Sequence, residues 1–261
     1  MQPPKIVTLT TDFGGDGSYA GAVKGVLLKI NPLLKIVDVT HEISCFDILE
    51  GALTLNSFYR FFPKGTIHLT VVDPGVGGKR KGILIGTDDY FFVGPDDGIF
   101  SFIYDQEKVR EMIELTNSKY FLGTPSFTFH ARDIFAPVAA YLSLGVEAGE
   151  FGQLTRHCYK LQMPAPVRTK NSLTGEIIRI DRFGNLITNI SSDFISDKRR
   201  IRIRFKNKTI GRLSRFYEEE KQGKLLALIG STNFLELAVN RGSAQKLLKA
   251  KTGDKVKIEK I

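Results

Sequence analysis

The sequence predicts an α/β amino-terminal domain over 1–165, with a mostly parallel sheet flanked by helices, and a smaller all-β, barrel-like domain over 171–261. Three observations lead there. Strand-like and helix-like runs alternate through the first half, as βαβ units require. The stretch from Met163 to Ser172, with two prolines and several polar residues, reads as a linker. Beyond it the apolar runs become short and alternating, the pattern of a small barrel or sandwich.

Ile6–Thr11 is a β-branched run and the first strand; it stops at the turn Asp12-Phe13-Gly14-Gly15-Asp16-Gly17. Tyr19 to Ile30 carries Val23, Val26, Leu27 and Ile30 on one helical face, and Pro32 follows its end. Ile36–Val39 is the second strand and Ile48–Phe58 the second helix. Thr66–Val72 is a buried strand that runs into Asp73-Pro74-Gly75-Val76-Gly77-Gly78-Lys79-Arg80, with Ile83–Gly86 and Tyr90–Val93 after it. Ile134 to Leu144 reads as a close-packing helix, because Ala136, Ala139 and Ala140 are small. In the second half Glu176–Ile180, Ile201–Phe205, Leu225–Ile229 and Lys255–Ile258 read as strands. Ile201-Arg202-Ile203-Arg204-Phe205 has the two-residue period of a half-buried strand. Phe234, Leu237 and Ala238 fall on one helical face behind Ser231, so a short helix with Ser231 as N-cap is expected there.

Composition bounds the function. The chain has 261 residues, 42% of them hydrophobic, and a net charge of +9. No apolar run approaches the roughly 18 residues that span a bilayer. Met1–Lys5 leads straight into a strand without the apolar core of a secretory leader. Cys45 and Cys158 are isolated, which favours a reducing cytoplasm over a disulfide scaffold or zinc site. His41, His68 and His157 show no metal-ligand spacing. The charge is uneven. From Lys170 onward 21 Lys and Arg face 10 Asp and Glu, giving +11, whereas the first 169 residues hold 16 against 18, giving −2. A basic second domain raises nucleic-acid binding as a possibility. Its charges alternate with apolar residues, however, and no aromatic side chains interleave with them, so a solvated strand face explains the excess.

The residues with chemical potential cluster at strand ends, where ligands bind in open α/β sheets. Asp12 and Asp73 each follow a core strand and precede a glycine turn, and Arg80 is close enough to fold onto Asp73. His130, in Phe129-His130-Ala131-Arg132-Asp133, stands just before a helix, where the amino terminus disfavours an imidazolium. In the second half, Asp181-Arg182-Phe183-Gly184-Asn185 offers acceptors for an ammonium and a donor for a carboxylate. A β-turn in which Asp181 and Asn185 bond their own backbone explains the same residues equally well. Glu236 is the one acid in Ser231–Ala244, a stretch that a capped helix also accounts for.

Taken together, these five segments resemble the S-adenosylmethionine hydroxide adenosyltransferase family, hydrolases related to the fluorinase and chlorinase enzymes. The resemblance spans Asp12 to Ala244. It implies that Asp73, Arg80 and His130 handle an attacking water and that Asp12 holds ribose hydroxyls. It implies that Asp181, Phe183, Asn185 and Ser231 surround the methionine part, with Glu236 and Val239 close to the substrate. It also implies hydrolysis of S-adenosylmethionine to adenosine and methionine without a cofactor, in a homotrimer with sites at subunit interfaces. Two other readings are compatible with the sequence. One is a halogenase giving a 5′-halo-adenosine, which the filled Asp-Arg-His positions disfavour. The other is a non-catalytic nucleoside- or nucleic-acid-binding protein.

Overall fold

The computed structural model describes residues 6–15, 17–195 and 201–260. Asp16, in the first glycine turn, lies outside them. The chain divides into two compact units, 1–161 and 162–261.

In the first unit the elements follow one another as β1 (Ile6–Thr11), α1 (Ser18–Ile30), β2 (Lys35–Thr40), α2 (Ile48–Phe58), β3 (Ile67–Val71), β4 (Gly82–Thr87), β5 (Phe91–Pro95), α3 (Ser101–Gln106), β6 (Val109–Leu115), α4 (Ala136–Ser143) and β7 (Gly152–Leu154). They form one sheet of order β2-β1-β3-β5-β4-β6-β7. The first four strands in that order are mutually parallel, whereas β4 and β7 run against their neighbours. The sheet is therefore mixed, with its parallel half at the β1–β3 end. Apolar side chains leave it on both faces, as the near-continuous apolar strands require. On one face Val7, Leu9 and Leu69 pack with Val23 and Leu27 of α1 and Val138 and Ala139 of α4. On the other, Val72, Ile83 and Phe92 pack with Leu55 of α2 and Ile103 of α3. His68 is fully buried on this second face, ringed by Phe58, Tyr59, Phe62, Tyr90 and Phe92. Burial drives its pKa down to about 3, so it is a neutral packing residue bonded to Thr8.

The second unit holds β8 (Val167–Arg168), β9 (Ser172–Ile180), β10 (Leu186–Ser191), β11 (Ile201–Phe205), β12 (Lys208–Ile210), β13 (Leu225–Ile229), β14 (Phe234–Val239), α5 (Ala244–Leu248) and β15 (Lys255–Lys260). The strands order as β12-β11-β15-β9-β10-β14-β13, every ladder antiparallel, with β8 added to β9. Ser214 bridges Leu228 of β13 and nearly closes the sheet on itself. β9 turns the corner: its first half pairs β15 and its second half β10. Gly175 sits at that corner against Ile190 and Asn189, where a Cβ would stand 2.3 Å from the Asn189 side chain. β11 alternates buried and exposed as its two-residue period predicts.

Two expectations need correction. Ser231 caps no helix: Phe234–Val239 is a strand between β10 and β13. Leu235 and Leu237 face one core cluster and Ala238 another, so the apolar spacing that fits a helix here serves a strand buried on both faces. Asn233, in the left-handed region with φ 67°, closes the β13–β14 turn. The helix comes later, as α5, capped by Ser243. The expected linker also contains structure, since β8 lies within it. No helix among the described residues is long and apolar enough to cross a membrane.

Candidate active site

β1 and β3 are parallel neighbours, with Thr11 opposite Val71. Asp12 and Asp73 therefore leave the same edge of the sheet side by side. The loop after β3 then folds back on itself. Val76 donates to the Asp73 carbonyl and Gly78 to that of Gly75. Gly77 has φ 73°, and a Cβ there would meet the Phe127 carbonyl oxygen at 2.1 Å, so only glycine fits. The fold of this loop brings Arg80 against Asp73. Arg80 Nε donates to Asp73 Oδ1 at 2.8 Å and Nη2 donates to Oδ2, a bidentate pair. Both side chains are nearly buried, at 10% and 7% exposure, so the pair is shielded from solvent. The guanidinium also lies over the Phe135 ring, 5.3 Å from its centre.

The second Arg80 contact fixes a tautomer. Nη2 stands 2.8 Å from His130 Nδ1. A guanidinium can only donate, so Nδ1 accepts, and the neutral ring carries its proton on Nε2. Burial lowers the His130 pKa first, and the Arg80 charge lowers it further, against weaker opposing effects of Asp73 and Asp133. His130 opens the π-helical turn Ala131–Phe135 that runs into α4. Asp133 anchors this segment by accepting from Ser126 N–H and from Arg132.

These groups border a cleft of about 350 Å³ lined by Asp12, Val71, Asp73, Phe129, His130 and the Cys45–Phe46 rim, among others. Phe13, Tyr19 and Phe129 form an aromatic cluster with ring centres 5.1 to 5.9 Å apart. Asp12 Oδ2 accepts from Phe46 N–H at 3.0 Å. Tyr19, Phe46 and Phe129 escape sequence reasoning because lone aromatics in loops and on helix surfaces carry no periodic signal. Asp97 escapes it too. Its Oδ1 accepts from Ile99 N–H, its Oδ2 is buried without a hydrogen-bond partner among the described residues, and burial pushes its pKa up to about 7, with the negative charge of Asp73 adding to the rise.

The second unit assembles its own polar group. Asp181 Oδ1 accepts from the N–H groups of Phe183 and Asn185, and its Oδ2 accepts from Asn185 Nδ2. This is the self-bonded turn that the sequence permits. Gly184, at φ 83°, packs onto Ser243, and its carbonyl accepts from Gln245 N–H. Asn185 is buried and Phe183 is 77% exposed. Glu236 of β14 is buried, and Tyr217 O–H donates to its Oε1 at 2.8 Å. Burial raises the Glu236 pKa, the Tyr217 bond opposes that, and the Asp181 charge adds to it. Val239 is buried at the end of the same strand, and Ser231 is exposed in the β13–β14 turn. Tyr217 is a further residue that sequence reasoning misses.

A carboxylate, a guanidinium and a neutral imidazole bonded in series beside a cleft, on a chain that continues into an antiparallel barrel, give a two-domain class of protein with a candidate catalytic set. Comparison with known proteins gives the class its family. Residues 7–152 match the family model described as SAM hydroxide adenosyltransferase N-terminal domain, and residues 175–257 match its C-terminal counterpart. The chain belongs to the SAM hydroxide adenosyltransferase family. A protein of Methanocaldococcus jannaschii named (R)-S-adenosyl-L-methionine hydrolase is 38% identical, over 97% of this chain and 95% of that one. One of the same name from Salinispora tropica is 34% identical over 99% of each. A fluorinase of Actinoplanes sp. is more distant, at 28% identity over 71% of each chain. A crystal structure of an uncharacterized conserved protein from Thermotoga maritima superposes with a TM-score of 0.89 at 36% identity, covering 98% of this chain and 100% of that one.

Proposed function

We propose that the protein is an S-adenosyl-L-methionine hydrolase in which Asp73, Arg80 and His130 activate the water. The observation that carries this reading is the bonded series Asp73–Arg80–His130 beside a cleft, in a chain whose full-length relatives bear the hydrolase name. Water attacks the ribose 5′ carbon in line. A C5′–O bond forms and the C5′–S bond breaks, its electron pair passing to sulfur, so methionine leaves as a neutral thioether and needs no general acid. One water proton must be taken up. His130 Nδ1 is occupied by Arg80 and Nε2 already carries hydrogen, so the neutral ring donates to the water oxygen rather than receiving a proton. Asp73 keeps one free lone pair on each oxygen beyond its bonds to Arg80, and it takes the proton. Arg80 holds both partners in register. Positioning water against carbon contributes on the order of 7–11 kcal/mol at best. As Asp73 takes the proton and the C5′–S bond breaks, the carboxylate and sulfonium charges are both lost, so exclusion of bulk water helps the step. The reaction as written calls for no cofactor.

Asp12, beside Asp73, holds the ribose hydroxyls. Asp181, Phe183, Asn185 and Ser231 receive the methionine part, with Glu236 and Val239 close to the substrate. We place the protein in a reducing cytoplasm, on its isolated cysteines Cys45 and Cys158, and as a homotrimer with its sites at subunit interfaces, as the resemblance implies. The deciding experiment incubates the protein with S-adenosylmethionine, with and without chloride or fluoride, and identifies the 5′ product. Adenosine in every arm is the expected result. A 5′-halo-adenosine would mark a halogenase, and adenosine binding without turnover would mark a binding protein.

A further inference from the structure

We propose that His41 is a positioning residue for ribose recognition, because it locks the Asp12 turn against the rim of the cleft. The proposal rests on the reading of Asp12 as the ribose carboxylate. β1 ends at Thr11, so the β ladder no longer holds residues 12 to 14. Their hold comes from the segment after β2. His41 Nε2 lies 3.1 Å from Asp38 Oδ1, and His41 Nδ1 lies 2.8 Å from Thr11 Oγ1. A carboxylate only accepts, so Nε2 carries the proton, and in the neutral ring Nδ1 accepts from the Thr11 hydroxyl. That hydroxyl oxygen in turn accepts from Phe13 N–H at 3.3 Å. The His41 carbonyl accepts from Gly14 N–H at 2.7 Å, and Ile43 N–H donates to the Thr11 carbonyl. Lys24 Nζ, 2.5 Å from Asp38 Oδ2, anchors the far end of the chain of bonds.

Asp12 thus sits between two residues pinned through one imidazole. Its own Oδ2 accepts from Phe46 N–H, five residues past His41. The segment 41–46 grips the turn 11–14 at both ends, and both segments line the cleft through Asp12, Phe13, Cys45 and Phe46. The order Asp38–His41–Thr11 looks like a hydrolytic triad, but Thr11 is 1% exposed and spends its hydroxyl hydrogen on the ring. Neither His41 nor Thr11 lines the cleft. The imidazole therefore acts through Asp12 and touches no substrate.

The test measures KM and kcat with S-adenosylmethionine, and adenosine affinity by calorimetry, for wild type, His41→Leu, His41→Asn, Thr11→Val and the double variant His41→Leu/Thr11→Val. His41→Leu is expected to raise KM and the adenosine Kd about tenfold while kcat stays within about threefold, since the water-activating set is untouched. Thr11→Val cuts the same link from the other side, so the double variant should be no worse than about twofold beyond the poorer single one. Asn carries an amide oxygen near the position of Nδ1, and His41→Asn should recover to within about threefold of wild type. The proposal is overturned if His41→Leu leaves KM and adenosine affinity unchanged, if the two losses multiply, or if His41→Asn is as impaired as His41→Leu. Should His41→Leu not fold, Thr11→Val and His41→Asn decide the matter alone. The wild-type arm separates the two readings. Adenosine binding with this variant pattern but no turnover would retain the role of His41 and remove the hydrolase; neither binding nor turnover would remove both.

Discussion

At the scale of single residues, the proposed mechanism makes Asp73 the group on which turnover depends. Asp73→Asn keeps its shape but loses the proton acceptor and the charge that pairs with Arg80. We expect kcat to fall by about 10²- to 10⁴-fold, with adenosine affinity within about threefold of wild type; a variant that retains the wild-type rate would remove Asp73 from proton transfer. Asp97 makes a separate statement about pH. Its folded pKa of about 7 lies above the ordinary aspartate value, so the unfolded chain ionises first as pH rises. Stability is therefore full below the ordinary value and is lost as pH climbs toward 7. Asn preserves the oxygen that accepts from Ile99 N–H and removes the buried charge. Asp97→Asn should accordingly be more stable than wild type at about pH 8, by on the order of 1–3 kcal/mol, with the gap narrowing at about pH 5. Denaturant titrations at both pH values test this, and a gap independent of pH would refute it.

At the scale of elements, the glycine loop after β3 is the piece whose shape the site requires. Gly77 combines a left-handed φ with a wall of Phe127 backbone at the place of a Cβ. Gly77→Ala should cost about 1–3 kcal/mol of stability and more than tenfold in kcat/KM, because relieving the clash moves Arg80 off Asp73. A thermal melt and a Michaelis series check both, and a fully active Gly77→Ala would show that the loop tolerates the shift. Elements also show what the sequence makes legible. β1 and β3 read plainly, since β-branched runs that end at Asp12 and Asp73 admit no competing pattern. β14 misleads because an apolar strand buried on two faces also satisfies helical spacing at Phe234, Leu237 and Ala238. β4 forms a short hairpin with β5 that a βαβ reading passes over, whereas the direction of β7 is invisible in sequence because its partner β6 lies far back along the chain. For the same reason the links Tyr217–Glu236 and Thr11–His41 emerge only in three dimensions. Asp73, Arg80 and His130 could be picked out in the sequence, but their bonding order, with Arg80 in the middle, could not.

At the scale of the whole molecule, the chemistry is divided along the chain. The proposed water-activating set lies in unit 1–161, and the polar group of Asp181, Asn185 and Glu236 lies in unit 162–261. For the proposed homotrimer, sedimentation coupled to assay should find activity travelling with the trimer. A monomer of full specific activity would refute shared sites.

The neighbouring exits of β1 and β3 have one more consequence. Adjacent strands are spaced at about 4.8 Å, so the sheet sets a gauge between the ends of β1 and β3, Thr11 and Val71, from which the Asp12 and Asp73 turns leave. With the sugar hydroxyls seated on Asp12 as proposed, that gauge bears on which carbon of the nucleoside arrives opposite Asp73. A homologue lengthened by one methylene between the ribose and the sulfonium would still dock, yet its electrophilic carbon would overshoot the mark. Such a compound should occupy the protein as an inhibitor and emerge uncleaved.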